Sequence, residues 1–241
     1  MTSKAKTRKN RKIKTVLRSV KFPKSKKNMC VPNNKETKKS AVVRAHLKSG
    51  RWESHISKLL DEYTIPNTNA IDIGAFIGTH TLTLSDSVKN GTVYSFEPQP
   101  WAYNAIKCSL NENKIKNVVL KNVGISDKKD MIKFCSDSTG GSTICHEKKK
   151  KISKWKYVYN IDILSIDSMK LKNISIIKID VEGHELKVLN GAKDTIKRNK
   201  PTIIIEVWNK KDKRNEFKKM MKNMNYKVSH ISGDDFLCTP K

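Results

Sequence analysis

Residues 69–78 read N-A-I-D-I-G-A-F-I-G, and residues 92–98 read T-V-Y-S-F-E-P. The first is an apolar strand running into a turn that carries Asp72, Gly74 and Gly78. The second is another apolar strand, ending in Glu97, nineteen residues past Gly78. A strand, a glycine turn, a helix and a second strand closed by an acid form the nucleoside-binding half of an open α/β sheet. There the glycines let backbone approach the ligand and the acid bonds the ribose hydroxyls. This pairing fixes the fold class as α/β, with a doubly wound, mostly parallel sheet.

A dinucleotide fingerprint would read G-x-G-x-x-G, whereas here Asp72 replaces the first glycine, giving D-x-G-x-x-x-G. A carboxylate at the head of the turn suits a ligand with an ammonium or a sulfonium better than a pyrophosphate. S-adenosylmethionine is such a ligand. On that reading Asp72, Gly74, Ala75 and Gly78 surround its methionine portion, and Thr79 or His80 opens a helix whose first amides face the carboxylate. Glu97 takes the ribose, and Pro98 and Gln99 wall one face of the adenine. Gly124 and Ile125, within V-G-I-S-D at 123–127, wall the other, and Asn104 is placed to help from the next helix.

Further along stand I-S-I-I-K-I-D-V-E-G-H-E at 174–185 and P-T-I-I-I-E-V-W at 201–208. With D-I-G-A-F-I-G at 72–78 and F-E-P-Q-P at 96–100, these resemble the FkbM family of S-adenosylmethionine-dependent methyltransferases over residues 69 to about 208. The resemblance implies a Rossmann-like class I methyltransferase fold and O-methylation. The acceptor differs among family members, so its identity does not follow.

The chemistry is expected at 178–185. In an extended chain Lys178, Asp180 and Glu182 share one face, and ionisable groups on an isoleucine-rich strand must meet each other, a ligand or water. Transfer to a hydroxyl needs an in-line approach and a group to take the departing proton. Asp180 is the first candidate and His184 the alternative, with Glu182 and Lys178 setting the local charge. Glu182 and Glu185 also suit the N-terminus of the next helix, with Gly183 as its turn. Glu206 and Trp208 end a strand near the same cleft, and Ser142 lies in a Ser/Thr/Gly-rich stretch that could cover an acceptor. A metal held by Asp180, Glu182 and His184 lacks a second ligand cluster, so none is expected.

Strands are expected near 69–73, 92–97, 118–123, 175–180, 202–207 and 226–230, and helices near 41–63, 79–88, 101–113, 184–198 and 212–224. Met131 to Cys135 and Tyr157 to Ile161 read as short strands that interrupt the alternation. The five cysteines are odd in number and contain no C-x-x-C, which argues for free thiols. The chain is 37% apolar and 30% charged, with no run long enough to span a bilayer and no apolar stretch behind the N-terminal charges. The expectation is a soluble intracellular protein, cytoplasmic or nuclear.

Of the net charge of +27, residues 1–40 hold fifteen Lys or Arg against Glu36 alone. Such a segment reads as a flexible tail, followed by a domain over 41–241. It could bind RNA or another polyanion, although only seven of the 50 basic residues are Arg, the side chain that phosphate recognition favours. Three functions remain open. One is methylation of a sugar or small hydroxyl acceptor. Another is RNA methylation, with Lys58, Asp180, Lys200 and Glu206 as a poorly matching tetrad. The third is a binding module that has lost turnover.

Overall fold

The computed structural model describes residues 17–21, 27–33, 44, 53–136, 142–145, 155, 157–208 and 210–241. In chain order a hairpin of β1 (Leu17–Lys21) and β2 (Asn28–Pro32) precedes helix α1 (Ser54–Tyr63). The alternating part is β3 (Asn69–Ile73), α2 (Thr79–Ser87), β4 (Val93–Phe96), α3 (Pro100–Glu112) and β5 (Val118–Lys121). Next come the short strands β6 (Gly124–Ile125), β7 (Asp130–Ser136), β8 (Ser142–Ile144) and β9 (Tyr157–Leu164). The chain closes with β10 (Ile174–Ile179), α4 (Glu185–Asn190), α5 (Lys193–Asn199), β11 (Thr202–Glu206), α6 (Lys211–Asn223), β12 (Tyr226–Ser232) and β13 (Asp235–Pro240).

The main sheet has seven strands in the order β12-β13-β11-β10-β3-β4-β5. The five from β11 to β5 run parallel, and β13 pairs antiparallel with both β11 and β12. Successive residues on a strand face opposite sides, so each isoleucine run feeds two cores. Ile71, Ile73, Ile177, Ile179, Ile203 and Ile205 pack with Val188, Leu189, Ile196 and Phe217 of α4, α5 and α6. Ala70, Ile176 and Ile204, the residues between, pack with Ile56 and Leu60 of α1 and Leu84 of α2. Helices on both faces make the sheet doubly wound, as the sequence pattern required. Because β10 lies beside β3, the turn after Ile73 and the ionisable run after Ile179 leave the sheet at the same edge. This is the crevice where α/β sheets bind ligands.

A second sheet, β6-β9-β7-β8, stands over that edge. The strands expected at 131–135 and 157–161 are both present and longer than anticipated, and the strand expected at 118–123 ends at Lys121, with two residues between it and β6. The helix expected over 184–198 is split at Gly191 and Ala192 into α4 and α5. Strand β13 was not anticipated. Of the helix expected at 41–63, the part from Ser54 is present, and most of the remainder lies outside the described residues.

Two expectations need correction. The segment assigned to a flexible tail includes the β1–β2 hairpin, whose Met29, Cys30 and Val31 are fully buried against Trp101, Ala102 and Ile106 of α3. Counting lysines concealed this, because the apolar residues that anchor it number only a few. The cysteines are also not all free thiols. Cys30 is bonded to Cys108, tying the hairpin to α3, and Cys135 to Cys145, tying β7 to the residue after β8. Cys238 is the buried thiol left over. An odd count excludes complete pairing and nothing more.

Thiol labelling after denaturation without reductant should therefore modify one cysteine, Cys238, and labelling after reduction all five. Cys30→Ser should lower stability by about 2–4 kcal/mol, since the bond closes a long loop, as read by chemical denaturation under oxidising conditions. Five reactive thiols without reductant would refute both bonds.

Candidate active site

A cavity of about 420 Å³ opens where β3, β4, β10 and β11 end and β6–β9 stand over them. Its floor begins at the turn after β3. The amides of Gly74 and Ala75 both donate to the carbonyl of Phe96, at 3.0 and 3.1 Å, which folds the turn onto the end of β4. Gly74 has φ +80°, and a Cβ there would lie 1.7 Å from the backbone oxygen of Asp180. Glycine is thus required at 74 by the chain segment behind it, in addition to any ligand in front.

Glu97 is 6% exposed and held at both oxygens. The Phe76 amide donates to Oε2 at 2.7 Å and the Gln99 amide to Oε1 at 2.8 Å. Burial, reinforced by the charges of Asp72 and Asp180, nevertheless pushes its carboxyl up to about 8. Beyond it, Pro98, Gln99, Val123, Gly124 and Ile125 line one side of the cavity. The Gln99 side chain donates to the Ser136 hydroxyl and so joins this wall to the second sheet. That sheet turns one face to the cavity. Ile132, Phe134, Ser142, Ile144, Ile161 and Ile163 all line it, as alternation and cross-strand pairing of Phe134 with Ile144 require.

The far end is ionic. Lys178, 5% exposed, donates from Nζ to Asp180 Oδ2 at 2.8 Å. Burial alone would strip the charge from both groups. For Lys178 the carboxylates of Asp180, Asp72 and Glu53 reverse that and hold its ammonium above the usual range. For Asp180, burial pushes the carboxyl up, and the Lys178 charge and hydrogen bonds from Lys178 and Glu206 bring it below the usual range. Glu206 goes the other way. Burial, and then the charge of Asp180 and the hydrogen bond to it, push it up to about 9. At neutral pH the pair therefore holds one proton, on Glu206, and Asp180 is an anchored carboxylate of low basicity. The extended register expected for Glu182 ends early, because β10 stops at Ile179 and Glu182 and Gly183 both have positive φ. Glu182 and His184 still line the cavity, and His184 Nε2 is 2.9 Å from the Ser126 hydroxyl.

Most of the expected site residues converge here: Gly74, Ala75, Thr79, Glu97, Pro98, Gln99, Gly124, Ile125, Ser142, Lys178, Asp180, Glu182, His184 and Glu206. Four do not line the cavity. Asp72 is fully buried behind the turn, where Thr81 donates to it at 2.6 Å, so it acts on the site through its charge. Gly78 packs on Ile106 of α3. Asn104 is on the exposed side of α3. Trp208 packs beside Gly183, with Lys210 Nζ 5.6 Å from its ring centroid, because the chain turns away after Glu206. Glu185 is tied to the Gly183 amide at 2.6 Å and to Lys213 at 2.5 Å. The tetrad considered for RNA is not assembled either. Lys200 precedes β11, at the opposite end from Glu206, and neither it nor Lys58 lines the cavity. Glu53, at the N-cap of α1, was missed by sequence reasoning. It stands in the wall with its carboxylate 3.2 Å from His80 Nε2. An isolated acid before a helix carries no local signal of that contact.

The methyltransferase FkbM domain model matches residues 72–229, and the chain belongs to that family. It is 24% identical over 163 residues to Methyltransferase 1 of Beauveria bassiana, covering 59% of this chain and 66% of that protein. It is 27% identical over 158 residues to the hexuronic acid methyltransferase AglP of Haloferax volcanii, covering 65% and 63%. The chain therefore spans just under two thirds of the length of these relatives. The structure of the methyltransferase FkbM from Methylobacillus flagellatus KT superposes with a TM-score of 0.54 at 18% identity, over 83% of this chain and 52% of that one, which shows a shared fold.

If Lys178 is what holds Asp180 ionised, Lys178→Met should raise the Asp180 titration midpoint above the ordinary carboxylate value, because burial, the largest influence on it, remains and the charge that chiefly opposes it is gone. Carboxyl carbon NMR would follow it, and an unmoved midpoint would refute this account of the pair.

Proposed function

We propose that the chain is an S-adenosylmethionine-dependent O-methyltransferase acting on a hydroxyl of a sugar or similarly small acceptor. The observation that carries the reading is one cavity with Glu97 at its nucleoside end and the Lys178–Asp180–Glu206 group at the other. The residues fit the cofactor. The turn at Gly74 leaves no side chain over its backbone, Glu97 offers a doubly anchored carboxyl to a ribose, and Pro98, Gly124, Ile125 and Ile163 offer apolar walls to a purine. When bound, the cofactor supplies a methyl group on a positively charged sulfur.

The remaining work falls to side chains. Asp180, fixed by Lys178, orients the acceptor hydroxyl and receives its proton as the new C–O bond forms. A weak base suffices late in such a transfer, because the alkylated oxygen is far more acidic than a carboxylic acid. Glu206 keeps its own proton and limits the negative charge beside Asp180. His184 is the second proton acceptor in the wall, and Ser142 stands on the covering sheet to meet the acceptor. The carboxylates of Glu53, Asp180 and Glu182 disfavour a phosphodiester and suit hydroxyl donors. That supports a polyol over RNA, as does the activity named for the AglP relative. The two disulfides favour an oxidising compartment over the intracellular location expected from the lack of an apolar stretch behind the N-terminal charges.

Asp180→Asn should leave cofactor affinity within a few fold and lower turnover by about 10² to 10⁴. Unchanged turnover in a labelled-methyl assay would remove the proton-accepting role. Cofactor binding should also depend on pH in one direction. In the free protein Glu97 is protonated below about 8, whereas ribose hydroxyls bind best to the carboxylate. Affinity for S-adenosylhomocysteine should rise from pH 6 to 8, by at most about tenfold per unit, and then level. Calorimetry should lose that slope in Glu97→Gln, and a slope retained there would shift the ribose contact elsewhere. Across uronic acids, neutral sugars and structured RNA, label should pass to a sugar hydroxyl. Transfer to RNA alone would overturn the acceptor class.

A further inference from the structure

The face of the second sheet that covers the cavity continues beyond it. Side chains alternate along a strand, so Tyr157 and Tyr159 stand on the same face of β9 as Ile161 and Ile163, which line the wall. Cross-strand pairing agrees. Tyr159 lies opposite Phe134, and Tyr157 lies opposite Ser136, which in turn lies opposite Ser142. Phe134 and Ser142 line the cavity, whereas the two tyrosines do not. At a rise of about 3.3 Å per residue, Tyr157 is about 13 Å along β9 from Ile161. One stripe of side chains therefore runs from Ile163, over the cavity, and out across its rim.

The residue type changes where the stripe leaves the cavity. Ile161 and Ile163 are 6% and 4% exposed and close a dry wall. Tyr157 and Tyr159 are half-buried, and their rings lie nearly parallel, 24° apart, with centroids 6.1 Å from each other. Packing alone would be served by more isoleucine. A tyrosine pair offers flat apolar faces with a hydroxyl at each tip, and a sugar ring has the matching character, an apolar C–H face edged by hydroxyls. Burial, and then the charge of Tyr157, push the Tyr159 hydroxyl up to about 12, so at neutral pH it keeps the proton it can donate. Strand β6 pairs with β9 at Ile163 and Leu164, and among the described residues no strand borders Tyr157 to Asp162 on that side.

The volume of the cavity limits what it can hold. About 420 Å³ lies within the range that encloses one drug-sized ligand, and the cofactor is of that size. An acceptor longer than one sugar unit has to continue across the rim.

We propose that Tyr157 and Tyr159 form a second sugar subsite, in which the unit next to the methylated one packs against their rings, so that the acceptor is part of an oligosaccharide or longer glycan and not a free monosaccharide. This rests on the sugar O-methyltransferase reading and adds to it the size of the acceptor.

The test measures labelled-methyl transfer by the full chain to glycans of one, two and three units, in matched series of hexuronic acid, hexose and N-acetylhexosamine residues. Within the series that takes label, kcat/KM should rise about tenfold from one unit to two, mainly through KM, as one sugar ring seated on an aromatic face would give. Tyr157→Ala should bring the ratio between two-unit and one-unit acceptors to about one, and Tyr157→Phe, which keeps the ring, should retain most of the gain. Affinity for S-adenosylhomocysteine within about twofold of wild type, read by calorimetry, shows that the variants are folded. A wild-type ratio near one would overturn the proposal without recourse to any variant, and so would a ratio that survives Tyr157→Ala. Either result leaves the sugar reading standing. Absence of label from glycans of every length would overturn the sugar reading and the proposal with it.

Discussion

The buried ammonium of Lys178 is the interaction on which the cavity depends. It stands in the middle strand of the sheet, beside Asp72 in the parallel register, and three carboxylates act on it: Asp180, Asp72 and Glu53. Without it, two strands would bring buried acids together at one edge, and each would have to take a proton or draw in water. With it, Asp180 stays ionised in a site closed off by isoleucines, and Glu206 keeps its proton as a consequence. The protonation pattern of the whole far end follows from one lysine.

The backbone imposes a matching constraint. Asp180 donates its amide to the carbonyl of Ile73 at 2.9 Å and places its own carbonyl where a Cβ on residue 74 would be. The turn after β3 and the ionisable run after β10 are therefore built as one unit. Substitution at Gly74 would displace Asp180 whether or not a ligand is bound.

What the sequence made legible is what repeats locally. The isoleucine runs of β10 and β11, the D-x-G turn and the acid after β4 announce themselves within ten residues, and their strand-end placement follows from the parallel alternation. What stayed hidden depends on partners far away in the chain. The β1–β2 hairpin has a few apolar residues in a lysine-rich stretch and gains its place only by covering α3. The pairing of Cys30 with Cys108 spans 78 residues. Glu53 meets His80 only because α1 packs on α2. Trp208 was misplaced for a similar reason, since periodicity carries a strand to its end but does not say which way the chain turns afterwards. Strand β13 was more nearly within reach: Phe236 and Cys238 alternate with less buried neighbours, and the Gly233 turn with φ +54° joins it to β12.

The net charge of +27 invites a reading in which the whole protein attracts anions, yet the cavity has the opposite character. Among the described residues, its wall includes Glu53, Glu97, Asp180, Glu182 and Glu206, and Lys178 is the one lysine or arginine. Surface lysines act through water and salt, and their field is screened within about 8–10 Å. Groups in the wall interact across a few ångströms of low dielectric and set the local potential themselves. Net charge therefore bears on what the exterior meets in solution, while the potential inside the cavity is set by the few ionised groups at the strand ends. A basic exterior and a cavity lined by acids are compatible in one chain because their charges act over different distances.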